Sequence, residues 1–265
     1  MLPEWSGRAI VAANAAPYHD QDQQRAMYAV AGYNGKPKSI SRDEFNDLVD
    51  EGSGVKEGWR GVVTDIPESR GGQEANRAIA RSFVDGDEHF PGRGIYGNGT
   101  YVAYHPGGKT EQSRLAAEGY GDSLIRMAIP DRIIDTPSSD IERVGAHIED
   151  AIYPDGVPKP RPTSEHGRDL YDTAQELVRR GREAGLSDED LFMALGDDGR
   201  VAIALGLDGY TVKNDNMHTN SVEYVVVLNR AAITVDRTVY TGDGITARHL
   251  ADGHDSRGNP FGRSS

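Results

Sequence analysis

The chain has 265 residues, 37% of them hydrophobic, with 32 Gly, 13 Pro, no Cys and a formal net charge of −13. That length can bury a sizeable core, as one large domain or two small ones, while the acidic balance repels phosphate backbones and argues against general nucleic-acid binding. The lack of cysteine excludes disulfides and thiol nucleophiles, and no apolar run approaches a membrane span or a signal-type core, so a soluble protein is expected.

Residues 1–40 are polar and read as a lead-in. "SRDEFNDLVDEG" predicts a short helix, with Ser41 as N-cap, Glu44 three residues on and a stop at Gly52. "GWRGVVT" reads as a strand. "GGQEANRAIARSF" predicts a helix with Ala75, Ala78, Ile79 and Phe83 near one face. "GTYVAYH" is strand-like, "KTEQSRLAAEGYG" a short helix ending at Gly119, and "SLIRMAIP" a strand stopped by Pro130. Residues 136–168 are Pro-rich and irregular around one helix, "DIERVGAHIEDAIY". "DLYDTAQELVRRGREAG" is amphipathic, with Leu170, Ala174, Leu177 and Val178 on one side. Ser187 caps "DEDLFMALG". "GYTVKN", "VEYVVVLN" and "AITVDR" read as strands, and the tail from Gly242 is polar and Gly-rich. Strands and helices alternate irregularly, which predicts an α+β fold rather than a doubly wound sheet.

The stretch "PGRGIYGNGTYVAYHPGGKT" holds two nucleotide-binding patterns. Gly92 to Gly97 spell G-x-G-x-x-G, but a dinucleotide fold needs a strand before the first glycine and a helix opening within the motif. Here an acidic, proline-ended segment precedes it and a β-like one follows. Gly108-Lys109-Thr110 ends a near-match to the P-loop, with Ala103 in place of its first glycine. A strand precedes that segment and a helix follows, so a phosphate loop stays open beside a simple turn at Pro106-Gly107-Gly108 with a solvated Lys109. The eight His residues show no H-E-x-x-H or clustered ligand spacing, so no metal is expected.

A third reading takes the same glycines differently. "GNGTYVA" resembles the G-x-G-[IT]-Y-[FV]-A strand of the ADP-ribosyltransferases, in the form used by the poly(ADP-ribose) polymerase-like group. "GWRGVVT" resembles that family's first strand, in which a basic residue precedes a glycine, and "SVEYVVVLNRAAITV" resembles its last strand, which carries the catalytic glutamate. The three blocks stand in family order over about residues 55–236. They are also similar to transferase domains attached to phage head proteins.

The resemblance implies an ADP-ribosyltransferase-like split β-sandwich: two small sheets with flanking helices, in a domain over 41–241 with a helical insertion at about 137–207 and a flexible tail over 242–265. It implies NAD as substrate, no metal, a protein acceptor, and a cytoplasmic or virion-associated setting. The implied chemistry breaks the nicotinamide–ribose bond through an oxocarbenium-like transition state. Glu223 would be the catalytic carboxylate, holding the ribose 2′-OH and offsetting positive charge. Arg60 would bind phosphate or ribose oxygens through its planar, permanently charged fork, and Gly61 would offer backbone groups to the carboxamide. Tyr101 and Tyr120 would stack on the nicotinamide. Arg60 combined with a tyrosine-type second strand is a mixed pattern. Ser221 stands where arginine-modifying members carry a second acidic or amide side chain, and Ala117 replaces the expected serine. A degenerate, non-catalytic phage structural or interaction module is the alternative.

Overall fold

The computed structural model describes residues 32–33, 35–50, 53–63, 70–86, 92–94, 97–130, 133–154, 160–195, 198–212 and 222–242. Among them are nine strands: β1 (Lys38–Ile40), β2 (Val55–Val62), β3 (Gly92–Gly94), β4 (Gly97–Tyr104), β5 (Ser123–Pro130), β6 (Thr136–Pro137), β7 (Gly209–Val212), β8 (Glu223–Val227) and β9 (Thr234–Thr241). The helices are α1 (Arg42–Leu48), α2 (Gly72–Asp85), α3 (Thr110–Glu118), α4 (Ser138–Ile152), α5 (Glu165–Glu183), α6 (Asp188–Leu195) and α7 (Asp198–Ala204). The strand order is β1-β9-β5-β2-β4-β8-β7-β6, with β3 paired to β4 off that path. Among the described residues, only the short pairs β1–β9 and β6–β7 are parallel. The fold is therefore α+β around a mixed sheet, as the irregular alternation predicts.

Local chemistry accounts for the elements. Ser41 and Glu44 form the expected reciprocal cap of α1, the Glu44 carboxylate accepting from the Ser41 amide at 2.8 Å. Ser164 caps α5, whose buried face carries Ala174, Leu177 and Val178 as expected. The face of α2 differs: Asn76, Ala80 and Phe83 are buried and Ala78 is exposed. A polar residue points inward there because Asn76 donates to Asp122 at 2.8 Å, which ties α2 to the turn after α3. The end of the lead-in also belongs to the fold. Lys38–Ile40 form β1, and the Tyr33 hydroxyl donates to the Leu207 carbonyl at 2.9 Å.

Side-chain alternation divides the core. On one face of the sheet α2 packs Ala80, Phe83 and Val84 against Val62, Val102, Ile125, Met127 and Val225. On the other, Ala117 of α3 meets Trp59, Ala103 and Leu124, and Phe45 of α1 meets Ala128. Helices α4 to α7, lying between β6 and β7, build a further cluster around Ile141, Leu177, Leu191, Tyr210 and Val226. The ladders are unequal. β2 pairs with β5 over eight residues and β4 with β8 over five, but β2 pairs with β4 only at Gly58↔Tyr104 and Trp59↔Ala103. No helix among the described residues is long and apolar enough to cross a membrane.

Candidate functional site

Both nucleotide motifs resolve into other structures. Gly92↔Gly99 and Gly94↔Gly97 pair across β3 and β4, so G-x-G-x-x-G closes an antiparallel hairpin instead of opening a helix. A Cβ on Gly99 would lie 2.5 Å from a Val226 methyl, so the glycine lets β8 approach closely. The near-match to the phosphate loop is a turn: the Gly108 amide donates to the His105 carbonyl at 2.9 Å, and Lys109 is exposed. β4 is antiparallel to both β2 and β8, whereas a P-loop follows a strand of a parallel sheet.

The residues expected to bind NAD sit on β2, β4 and β8, which are adjacent strands, and at the end of α3. Arg60 and Gly61 are the first β2 residues beyond the last β2–β4 pair. Arg60 is 8% exposed, on the α2 face, with its guanidinium 5.7 Å from the Phe83 ring centroid. Arg230, 4% exposed, lies 4.7 Å from the same ring. Burial pushes the Arg60 guanidinium down to about 10, the charge of Arg230 adds to the effect, and Tyr101 opposes it. Arg230 is likewise held at about 10 by burial. Two cations thus share one aromatic ring in a core region.

Gly61 faces the other way. An added Cβ would lie 2.0 Å from the Ala117 carbonyl oxygen and 2.9 Å from the Gly121 amide nitrogen. The end of α3 therefore closes directly onto β2, and the position excludes any side chain whether or not a ligand is bound. Tyr120, in that same turn, is 58% exposed and packs edge-on against Tyr224 with centroids 5.6 Å apart. Burial, then the neighbouring Tyr120, raises the Tyr224 hydroxyl above its ordinary range.

Tyr101 and Glu223 part company. Tyr101 packs against the helical cluster, on the face shared with Tyr224. Glu223 is half-buried and lies directly opposite Tyr104, whose hydroxyl donates to Glu223 Oε2 at 2.6 Å. Residues paired across an antiparallel ladder share a face, so Glu223 stands with Tyr104, Val102 and Arg60 on the α2 side. The structure brings Arg60 within electrostatic reach of Tyr101 and sets Tyr120 beside Tyr224, but it does not gather Tyr101 and Glu223 on one face. Standard strand spacings separate the Cα atoms of Arg60 and Glu223 by roughly 12 Å, a span that an extended dinucleotide covers.

Sequence reasoning missed Tyr104, Arg230 and Tyr224. All three lie within the quoted strand blocks, but their roles depend on register and burial that a single sequence does not display. Ser221 and the segment 213–220 before it lie outside the described residues. Among the described residues no cluster of three or more His, Asp or Glu has a metal-holding arrangement. No family model, curated protein or solved structure matches the chain.

Proposed function

We propose that the protein cleaves the nicotinamide–ribose bond of NAD and transfers ADP-ribose to an acceptor, in the manner of a mono-ADP-ribosyltransferase. The observation that carries this reading is the two-pair β2–β4 ladder. Immediately past its end stand Arg60 and Gly61 on one strand and Tyr101 on the other, the residues that the sequence resemblance assigns to NAD. In this reading β1-β9-β5-β2 and β4-β8-β7-β6, which the structure joins in one strand order, are the counterparts of the two small sheets of a split sandwich, and NAD lies where the β2–β4 ladder ends.

In this reading the nicotinamide lies on the face of Tyr101 and Tyr120. The ribose and diphosphate extend past the end of the β2–β4 ladder toward Arg60 and Glu223 on the α2 side. The C1′–N1 bond breaks with its electron pair going to the ring nitrogen, so neutral nicotinamide leaves. Positive charge develops on the ribose, and the Glu223 carboxylate, hydrogen-bonded to the 2′-OH, stabilises it. A nucleophilic side chain of a protein acceptor, or water, then bonds to C1′ and gives up its proton. With serine at 221, the second acidic or amide group used on arginine acceptors is missing, which disfavours an arginine acceptor.

Arg60→Met removes the charge while filling most of the volume. It is expected to weaken NAD binding about 10–100-fold, the worth of a charge-assisted hydrogen bond, with little change in thermal midpoint. Isothermal titration reads this directly, and unchanged affinity would remove Arg60 from the site. Lys109→Ala is expected to leave nicotinamide release unaltered. A severe loss there would return the phosphate-loop reading.

One observation favours a second reading, a binding module without turnover: Tyr101 and Glu223 lie on opposite faces. Such a module would bind NAD and release no nicotinamide.

A further inference from the structure

We propose that Tyr104 is a positioning residue for Glu223, fixing one carboxylate oxygen so that the other is presented to the ribose. This rests on the proposed transferase activity and adds to it a residue that the family resemblance does not assign.

Tyr104 ends β4 and pairs directly with Glu223, the first residue of β8. A residue at the start of a strand has fewer neighbours to restrict its rotamers, and a glutamate has three side-chain torsions to fix. Tyr104 supplies the missing constraint. Its side chain is 3% exposed and belongs to the apolar cluster that contains Val102 and Val225, so the ring is held by packing. A buried phenol must find an acceptor, and this one donates to Glu223 Oε2 at 2.6 Å, the length of a charge-assisted O–H···O⁻ bond. The Lys56 ammonium lies 5.6 Å from the Tyr104 ring centroid. A cation at the face of the ring adds to the contacts that hold it in place. Tyr104 thus anchors Oε2 on a rigid ring, while Oε1 keeps its lone pairs for a ribose hydroxyl. A carboxylate held in one orientation reaches the transition state without first losing rotamer freedom, and that benefit appears in the chemical step.

A purely structural hydroxyl would behave differently. Its loss would lower the melting temperature and leave the kinetics alone. The test is therefore a double-mutant cycle on nicotinamide release from NAD by the full chain, using wild type, Tyr104→Phe, Glu223→Gln and the double variant. Tyr104→Phe is expected to lower kcat about tenfold with KM for NAD nearly unchanged. In the Glu223→Gln background the same substitution is expected to cost much less, because the group that it orients is already disabled. If wild type and Tyr104→Phe turn over alike, the positioning role is wrong while the transferase reading stands. An equal loss from Tyr104→Phe in both backgrounds also overturns it, because the effect would not pass through Glu223. If the wild-type chain releases no nicotinamide, the transferase reading fails and this role fails with it.

Discussion

Glu223→Gln is expected to slow nicotinamide release about 10²–10³-fold in kcat, with KM for NAD little changed. The substitution is nearly isosteric. Its amide oxygen can still accept from the Tyr104 hydroxyl, which now bonds to Glu223 Oε2 at 2.6 Å, so the local fold is preserved. What it removes is negative charge beside a sugar that becomes cationic only as its bond to nicotinamide breaks. An interaction stronger in the transition state than in the ground state contributes to kcat and not to binding. A loss of that size corresponds to about 2.7–4 kcal/mol, typical for one preorganised electrostatic group. Initial rates across a range of NAD concentrations separate the two constants. Wild-type turnover in this variant would show that the carboxylate does no chemistry. A raised KM with intact kcat would make Glu223 a binding residue only.

Phe83→Ala is expected to destabilise the fold by about 3–5 kcal/mol, as large aromatic truncations in packed cores do. Phe83 is 1% exposed at the centre of the α2-side cluster, among Ala80, Val84, Val102 and Ile125. It also lies 5.7 Å and 4.7 Å from the guanidinium carbons of Arg60 and Arg230. Truncation opens a cavity and removes the aromatic surface against which both buried cations rest. Against a typical total of about 5–15 kcal/mol for a domain, that loss is a large share of the whole. Urea titration should show a lower midpoint at an unchanged slope. A shift under about 1 kcal/mol would mean that α2 is not docked on the sheet through this ring.

The strands that place the candidate site are legible in the sequence, because β2 and β4 are set off by Gly54, Gly97 and Pro106, and β8 carries the apolar run Val225 to Leu228 between polar segments. The amphipathic helix α5 is equally plain. The elements that escape notice are those without a pattern of their own. α7 is buried at every position from Gly199 to Ala204, so it has no polar face to mark a helical period. β1 and β6 have three and two residues and exist only through parallel pairing to β9 and β7. On α2, the inward turn of Asn76 follows from Asp122, a residue 46 positions away.

The site divides along the same line. The identities of Arg60, Gly61, Tyr101, Tyr120 and Glu223 come from local blocks. Their relative placement comes from register, which no single block contains. The pairing Tyr104↔Glu223 sends the carboxylate to the α2 face, and the β2–β4 ladder ends one residue before Arg60. The reason for glycine at position 61 is the Ala117 carbonyl, which would lie 2.0 Å from a Cβ there. That contact belongs to the last turn of α3 and is invisible in "GWRG".

Nicotinamide release from NAD by the purified chain tests the central proposal most directly. Release is expected to be steady, to saturate with NAD concentration and to fall about 10²–10³-fold in Glu223→Gln. NAD that binds with measurable affinity yet stays intact under the same conditions would contradict it, and would make the protein a binding module in place of a transferase.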